Sequence, residues 1–144
     1  MARGALLVAV VVFAMACETN SAHPPTVSIL SSGTPLVDVP VITATTAAER
    51  MAGLGAYPNL PLTVGLVLVF PVEGQVCLTN EPVSYAIDAI LANELGEEVG
   101  RRCGWPAGSP DVQCWNDVKY VLEMHGGMLC AYGTEIELAG LDEF

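Results

Sequence analysis

Residues 64–70 read VGLVLVF, seven apolar residues in a row. A continuous apolar run of this length, bounded by turn formers, is expected to form a strand covered on both faces. Such a strand needs neighbours on either side and layers above and below, so it sets the kind of fold the rest of the chain must supply. VDVPVITAT (37–45) is rich in β-branched residues and reads as a second strand, with Pro40 arguing for an edge or a bulge. SYAIDAIL (84–91) puts Ser84, Ala86, Asp88 and Ile90 on one face and Tyr85, Ile87 and Ala89 on the other. KYVLEMH (119–125) alternates, with Tyr120, Leu122 and Met124 directed to the core and Lys119, Val121, Glu123 and His125 opposite. TEIEL supplies a last strand with Ile136 and Leu138 inward. EGQ and NELGEE are expected turns, and residues 100–116 an extended loop. TAAERMAGLG predicts one helix of about two turns, because Thr46 followed by Glu49 makes a capping box and Gly53 or Gly55 can end it. MLCAYG suggests one further helical turn stopped at Gly133. No internal repeat is visible. The expected fold is mainly β with one or two short helices, a compact β-sandwich or jelly-roll-like domain or a partly open barrel.

The N-terminus constrains location. MARGALLVAVVVFAMA has Arg3 as its one charge, an apolar centre and small residues at its end. This is the pattern of a signal peptide, and the run is too short for a comfortable membrane span. Ala14-Met15-Ala16-Cys17 resembles a bacterial lipobox, although Ala14 stands where Leu is usual. Cys17 is therefore expected to carry lipid and to hold the chain on a membrane. The organisation that follows is a signal peptide at 1–16, an anchor and polar tether at 17–36, and a β-rich domain at 37–144. The expected place is the periplasmic side of a bacterial membrane; plain secretion or a soluble periplasmic form is the alternative.

Removing residues 1–16 from the 144 leaves 128, enough for one domain with a real core. The formal charge of −11 becomes −12 once Arg3 is gone. Nucleic acid is a poor partner for such a chain, because phosphate binding needs a basic stripe. Besides Cys17 there are four cysteines: Cys77, Cys103, Cys114 and Cys130. An even number in an exported chain suits disulfides. CGWPAGSPDVQC (103–114) lacks the close ligand pairs of a structural zinc site and the C-x-x-C of a redox motif. The expectation is a local staple between Cys103 and Cys114, worth about 3 kcal/mol for a loop of this size. Cys77 and Cys130 would then form a second pair.

Candidate chemistry is sparse. Glu123 and His125 share a strand face, and a carboxylate beside an imidazole can move protons or hold a cation. Asp88 would join them if its strand lies alongside. The plainer alternative is a solvated strand face for Glu123 and His125 and a hydrogen-bonded structural carboxylate for Asp88. Arg50 is a further binding candidate, its plainer role being a local ion pair. Trp105 and Trp115 flank the cysteine loop and either cover it or form an exposed platform for a sugar or peptide. No nucleophile–base pair, phosphate loop or dinucleotide fingerprint is present, and no metal or cofactor site is expected.

TAAERMAGL, GLVLVFP, the Asp88 strand and KYVLE followed by Gly127, in that order, resemble the domain of unknown function 192 family. That family reads T-x-E-E-R-x-x-G-L-M, G-M-L-F-x-F, W-M-K-N-T, L-D-I and Y-V-L-E. Thr46, Glu49, Arg50, Gly53 and Leu54 match the first motif; Gly65, Val69 and Phe70 the second; Asp88 the fourth; and Tyr120, Val121, Leu122 and Glu123 the last. Where W-M-K-N-T is expected this chain has CLTNEPV, and only a two-residue slip puts Asn80 on the motif Asn, with Trp and Lys missing. The resemblance implies a compact jelly-roll-like β domain; Asn80 is a binding candidate, and if the motif surface is the family's binding site, this chain has lost or changed the ligand. Some members similarly carry two cysteines before Y-V-L-E. The resulting expectation is a non-enzymatic cell-envelope binding or accessory module with a protein or glycan partner. The alternatives are an envelope hydrolase using Glu123, His125 and Asp88, or a divalent-cation binder.

Overall fold

The computed structural model describes residues 23–133 and 135–144. The signal segment and Cys17 lie outside the described residues. Seven strands run in the order β1 (Thr26–Ser31), β2 (Thr34–Ala44), β3 (Gly65–Leu78), β4 (Ile87–Ala92), β5 (Glu98–Trp105), β6 (Gln113–His125) and β7 (Ile136–Ala139). The helix α1 (Ala47–Ala52) and a 3-10 turn at Gly53–Ala56 follow β2, and a second 3-10 turn, Leu141–Glu143, follows β7. The strands form one sheet in the order β5-β4-β6-β3-β2-β1-β7, curled into a half-barrel. All neighbours are antiparallel except β2 and β3. The curl brings the two edges together: Leu138 N–H donates to the Gly96 carbonyl at 2.8 Å, and Glu97 bridges to Glu137.

Both faces of the central strands are buried. Val67, Ile90, Leu122 and Met124 pack on one side with Val27, Ile29 and Ile136. Leu66, Leu68, Ala89, Leu91 and Val121 pack on the other with Leu54, Val83 and Trp105. The apolar run at 64–70 is thus a doubly covered strand, as expected. In KYVLEMH, however, the alternation does not separate core from solvent. It separates two cores, and Glu123 stands in the second.

Several boundaries move. The sheet includes β1, ahead of residue 37, because Ser32 and Gly33, with φ of 48° and 75°, form a two-residue hairpin turn between β1 and β2. Pro40 is on neither an edge strand nor a bulge. It sits where β2 leaves β1 and takes up β3, so its missing N–H interrupts no continuous ladder. β3 continues through the expected EGQ turn to Leu78 by means of a register shift around Gly74. The expected loop 100–116 contains the end of β5 and the start of β6, and MLCAYG forms turns with no helix. The capping box of α1 is present: the Thr46 hydroxyl accepts from Glu49 N–H at 3.2 Å, and the Glu49 carboxylate accepts from Thr46 N–H at 2.9 Å.

The cysteine pairing differs from the local staple. Cys77 bonds to Cys114 and Cys103 to Cys130. Topology gives the reason. Cys103 is on β5 and Cys114 on β6, and β4 lies between those strands, so the two ends of CGWPAGSPDVQC are held apart. Cys77 and Cys114 instead face each other in the β3–β6 register, with Cα atoms 4.0 Å apart. Two disulfides point to an oxidising compartment outside the cytoplasm. Among the described residues, no helix is long and apolar enough to cross a membrane.

Candidate functional site

The three residues of the expected catalytic cluster do not converge. Asp88 pairs with Met124 across β4 and β6, whereas Glu123 pairs with Ala89, so Asp88 lies on the opposite face of the sheet from Glu123 and His125. Asp88 is fully buried, and its oxygens accept N–H bonds from Gly104 (2.8 Å), Leu129 (3.0 Å) and Cys130 (3.2 Å). Burial pushes its carboxyl up, but the backbone donors outweigh this and hold it below its ordinary range. These donors flank Cys103 and include Cys130, so the carboxylate and the second disulfide clamp the same two segments. Asp88 is a structural carboxylate.

His125 is also committed. Its Nε2 meets the Leu60 carbonyl at 2.8 Å, which makes this nitrogen the N–H donor, and its ring stacks on Tyr85 with centroids 4.0 Å apart. Tyr85 O–H donates to the Tyr57 carbonyl at 3.0 Å. The pair fastens residues 57–60 to the sheet.

Glu123 is different. It is 5 % exposed on a face made of Leu66, Leu68, Ala89 and Val121. Leu54 N–H donates to its carboxyl, while Oε2 has no partner among the described residues. Burial outweighs that one donor and pushes the carboxyl up to about 7. The plainer reading of this residue as part of a solvated strand face is therefore corrected: the face is covered by the turn after α1 and by the segment after β3. Glu123 lines a cleft of about 150 Å³ with Gly53, Leu54, Leu68, Leu78, Thr79 and Val83. Gly53 lies against the carboxyl, since a Cβ there would stand 3.4 Å from Oε2, and its φ of +49° suits glycine.

Arg50 borders the same cleft but pairs with no acid among the described residues. Its guanidinium donates to the Thr45 and Val69 carbonyls, the latter at 3.0 Å, and lies 5.2 Å over the Phe70 ring. Asn80 is fully buried and its Nδ2 donates to the carbonyls of Tyr85, Trp105 and Pro106 at 3.2, 3.1 and 2.8 Å. It brackets the loop segments around Tyr85 and Trp105 beside the cleft without lining it, and its buried Oδ1 has no partner among the described residues. Trp105 is buried in the second core, with Trp115 packed edge-to-face at 6.4 Å. The tryptophans cover that core and not the cysteines, for Cys103 and Cys114 are both exposed. No three His, Cys, Asp or Glu side chains among the described residues come together as a metal-ligating group.

Comparison with known proteins agrees with this architecture. The family model DUF192, described as "Uncharacterized ACR", matches residues 28–138, and the chain belongs to that family. No curated protein sequence matches it. The chain is similar in fold to a crystal structure from Sinorhizobium meliloti 1021 named as a "putative transcription regulator", with a TM-score of 0.72 and 20 % identity over 81 % of this chain and 94 % of that one. It is also similar to a protein of unknown function from Novosphingobium aromaticivorans DSM 12444, with a TM-score of 0.70 and 15 % identity over 78 % and 81 % of the two chains. With Asn80 on the motif Asn, Cys77, Leu78 and Thr79 stand at the W-M-K positions, and all three line the Glu123 cleft. The stretch where this chain departs from the family pattern is the wall of its candidate site.

Proposed function

We propose that this DUF192-family protein is a non-enzymatic binding or accessory module of the bacterial cell envelope, held to a membrane by lipid on Cys17, with its ligand site in the cleft over Glu123. The observation that carries the binding reading is the unpartnered Oε2 of a carboxyl that is only 5 % exposed. An unmet buried acceptor costs about 1–3 kcal/mol, and a ligand donor removes that cost. The hydrolase reading has less support, because both Asp88 oxygens and the His125 Nε2 are engaged with backbone groups, and among the described residues no bond joins either side chain to Glu123. The divalent-cation reading lacks a second carboxylate beside Glu123 among the residues of the cleft. Export is supported by the disulfides and by the signal pattern at 1–16.

Two measurements test the two halves. Fractionation of the Cys17→Ser variant is expected to find it released from membranes; retention at the wild-type level contradicts the anchor. A fragment screen by amide NMR on the mature full-length protein is expected to shift Gly53, Leu54, Thr79 and Val83 together. Shifts confined to other surfaces contradict the cleft as the ligand site.

A further inference from the structure

We propose that the cleft receives the protonated head of a small, free aliphatic amine, with Glu123 as its carboxylate partner; this rests on the cleft being the ligand site. An ionised carboxylate only accepts hydrogen bonds. One donor, Leu54 N–H, comes from the protein, and Oε2 is left for a donor from outside. The polar groups at hand are already engaged. Arg50 is turned to the Thr45 and Val69 carbonyls and to Phe70. The Thr79 hydroxyl donates to the Ser109 carbonyl at 3.0 Å and accepts from Glu81 N–H at 3.3 Å. Tyr85 donates to Tyr57, and burial first, then the Glu123 charge, raise its pKa, which keeps the phenol neutral beside the carboxylate. His125 is spent on Leu60. Among the described residues, no cation forms an ion pair with Glu123.

The rest of the cleft selects the tail. Ala52, Leu54, Leu68, Leu78, Pro82 and Val83 present apolar walls suited to an alkyl chain. At about 150 Å³ the space is below the range of roughly 300–1,000 Å³ typical of drug-sized ligands. Gly53 lies against the carboxyl, where a Cβ would stand 3.4 Å from Oε2. α1, on the rim of the cleft, has no buried residue, while Arg50 donates from it to the Val69 carbonyl and Leu54 behind it is fully buried. An anionic ligand would bring a second negative charge beside Glu123 with Arg50 turned away. The mature charge of −12 also draws cations toward the surface.

Calorimetric titration of the mature full-length protein, in nonionic detergent, with n-butylammonium chloride tests this, with sodium butyrate and n-butanol as probes of similar size. Saturable binding of butylammonium is expected, tighter by about tenfold at pH 8 than at pH 6. The carboxyl at about 7 must ionise to take the ammonium, while an amine stays charged over this range. Glu123→Gln is expected to abolish binding. Thr79→Lys, which puts an internal ammonium on the cleft wall, is expected to weaken it at least tenfold, and this variant decides the matter if Glu123→Gln fails to fold. Preferential binding of butyrate or butanol in the cleft overturns the amine and leaves the cleft as a ligand site. If none of the three binds, the amine inference falls; the cleft itself falls only with the fragment screen.

Discussion

Replacing Glu123 by Gln should make the protein more stable at alkaline pH and leave it little changed at acid pH. Burial moves the Glu123 carboxyl from an ordinary 4.5 to about 7. Each unit corresponds to about 1.4 kcal/mol, so ionising this group in place costs about 3 kcal/mol. The sign follows from proton binding. Between pH 4.5 and 7 the folded protein holds this proton and the unfolded chain has lost it, so stability falls as pH rises through that window and levels off above it. Glutamine carries no charge at any pH and keeps an acceptor for Leu54 N–H. Its amide brings unmet donors of its own, but that offset is independent of pH. Urea unfolding of both proteins at pH 4.5 and pH 8, with disulfides intact, isolates the Glu123 contribution because the other titrating groups cancel in the difference. The difference should shift toward the variant by up to about 3 kcal/mol between the two pH values. A difference that is the same at both would refute the buried, unpaired carboxyl.

Non-reduced peptide mapping should recover Cys77–Cys114 and Cys103–Cys130, and recovery of Cys103–Cys114 would contradict the strand order. Closing loops of 37 and 27 residues, the two bonds should each contribute about 3.5 kcal/mol in the chain-entropy model, read by urea unfolding of the paired Cys→Ser variants. Asp88→Ala should cost about 3 kcal/mol or more, since it strands the N–H groups of Gly104, Leu129 and Cys130. It should also speed hydrogen exchange at Leu129 and Cys130. Because the Asp88 carboxyl is held below its usual 3.8, the stability it lends is complete above that value and is lost as pH falls through the lowered one. A wild-type acid-unfolding profile in the Asp88→Ala variant would argue against the clamp.

The strands with a clean apolar signal were legible. The VGLVLVF run, the Asp88 strand, KYVLEMH and the Ile136–Leu138 part of the last expected strand lie in the sheet, and Thr46 with Glu49 locates α1 because a capping box is a local, chemically specific signal. β1 was hidden because TVSILS follows a polar, Pro-rich segment and reads as its continuation. The disulfide pairing depends on β4 inserting between β5 and β6, which no spacing within 103–114 can reveal. Glu123 was singled out by residue type but placed on a solvated face, since period-two alternation normally opposes core to water. In a sheet covered on both sides it opposes one core to another. The signal available was that β4 and β3 lack polar alternation, so their neighbour β6 had little reason to be wet on either face. The cleft wall at Cys77, Leu78 and Thr79 carries no chemical motif of its own. It becomes visible only when α1 and the segment after β3 fold over Glu123.

The claim that most depends on Glu123 is that its carboxyl lies buried beneath a cleft, with Leu54 N–H on one side and Oε2 without a partner among the described residues. Side-chain ¹³C NMR of the protein labelled at glutamate, followed from pH 3 to 9 and assigned by Glu123→Gln, measures this directly. One glutamate carboxyl, absent from the variant, is expected to titrate near 7, well apart from the exposed glutamates. A Glu123 midpoint close to 4.5 would mean that water or a protein cation already serves the carboxyl, and the cleft would lose its chemistry.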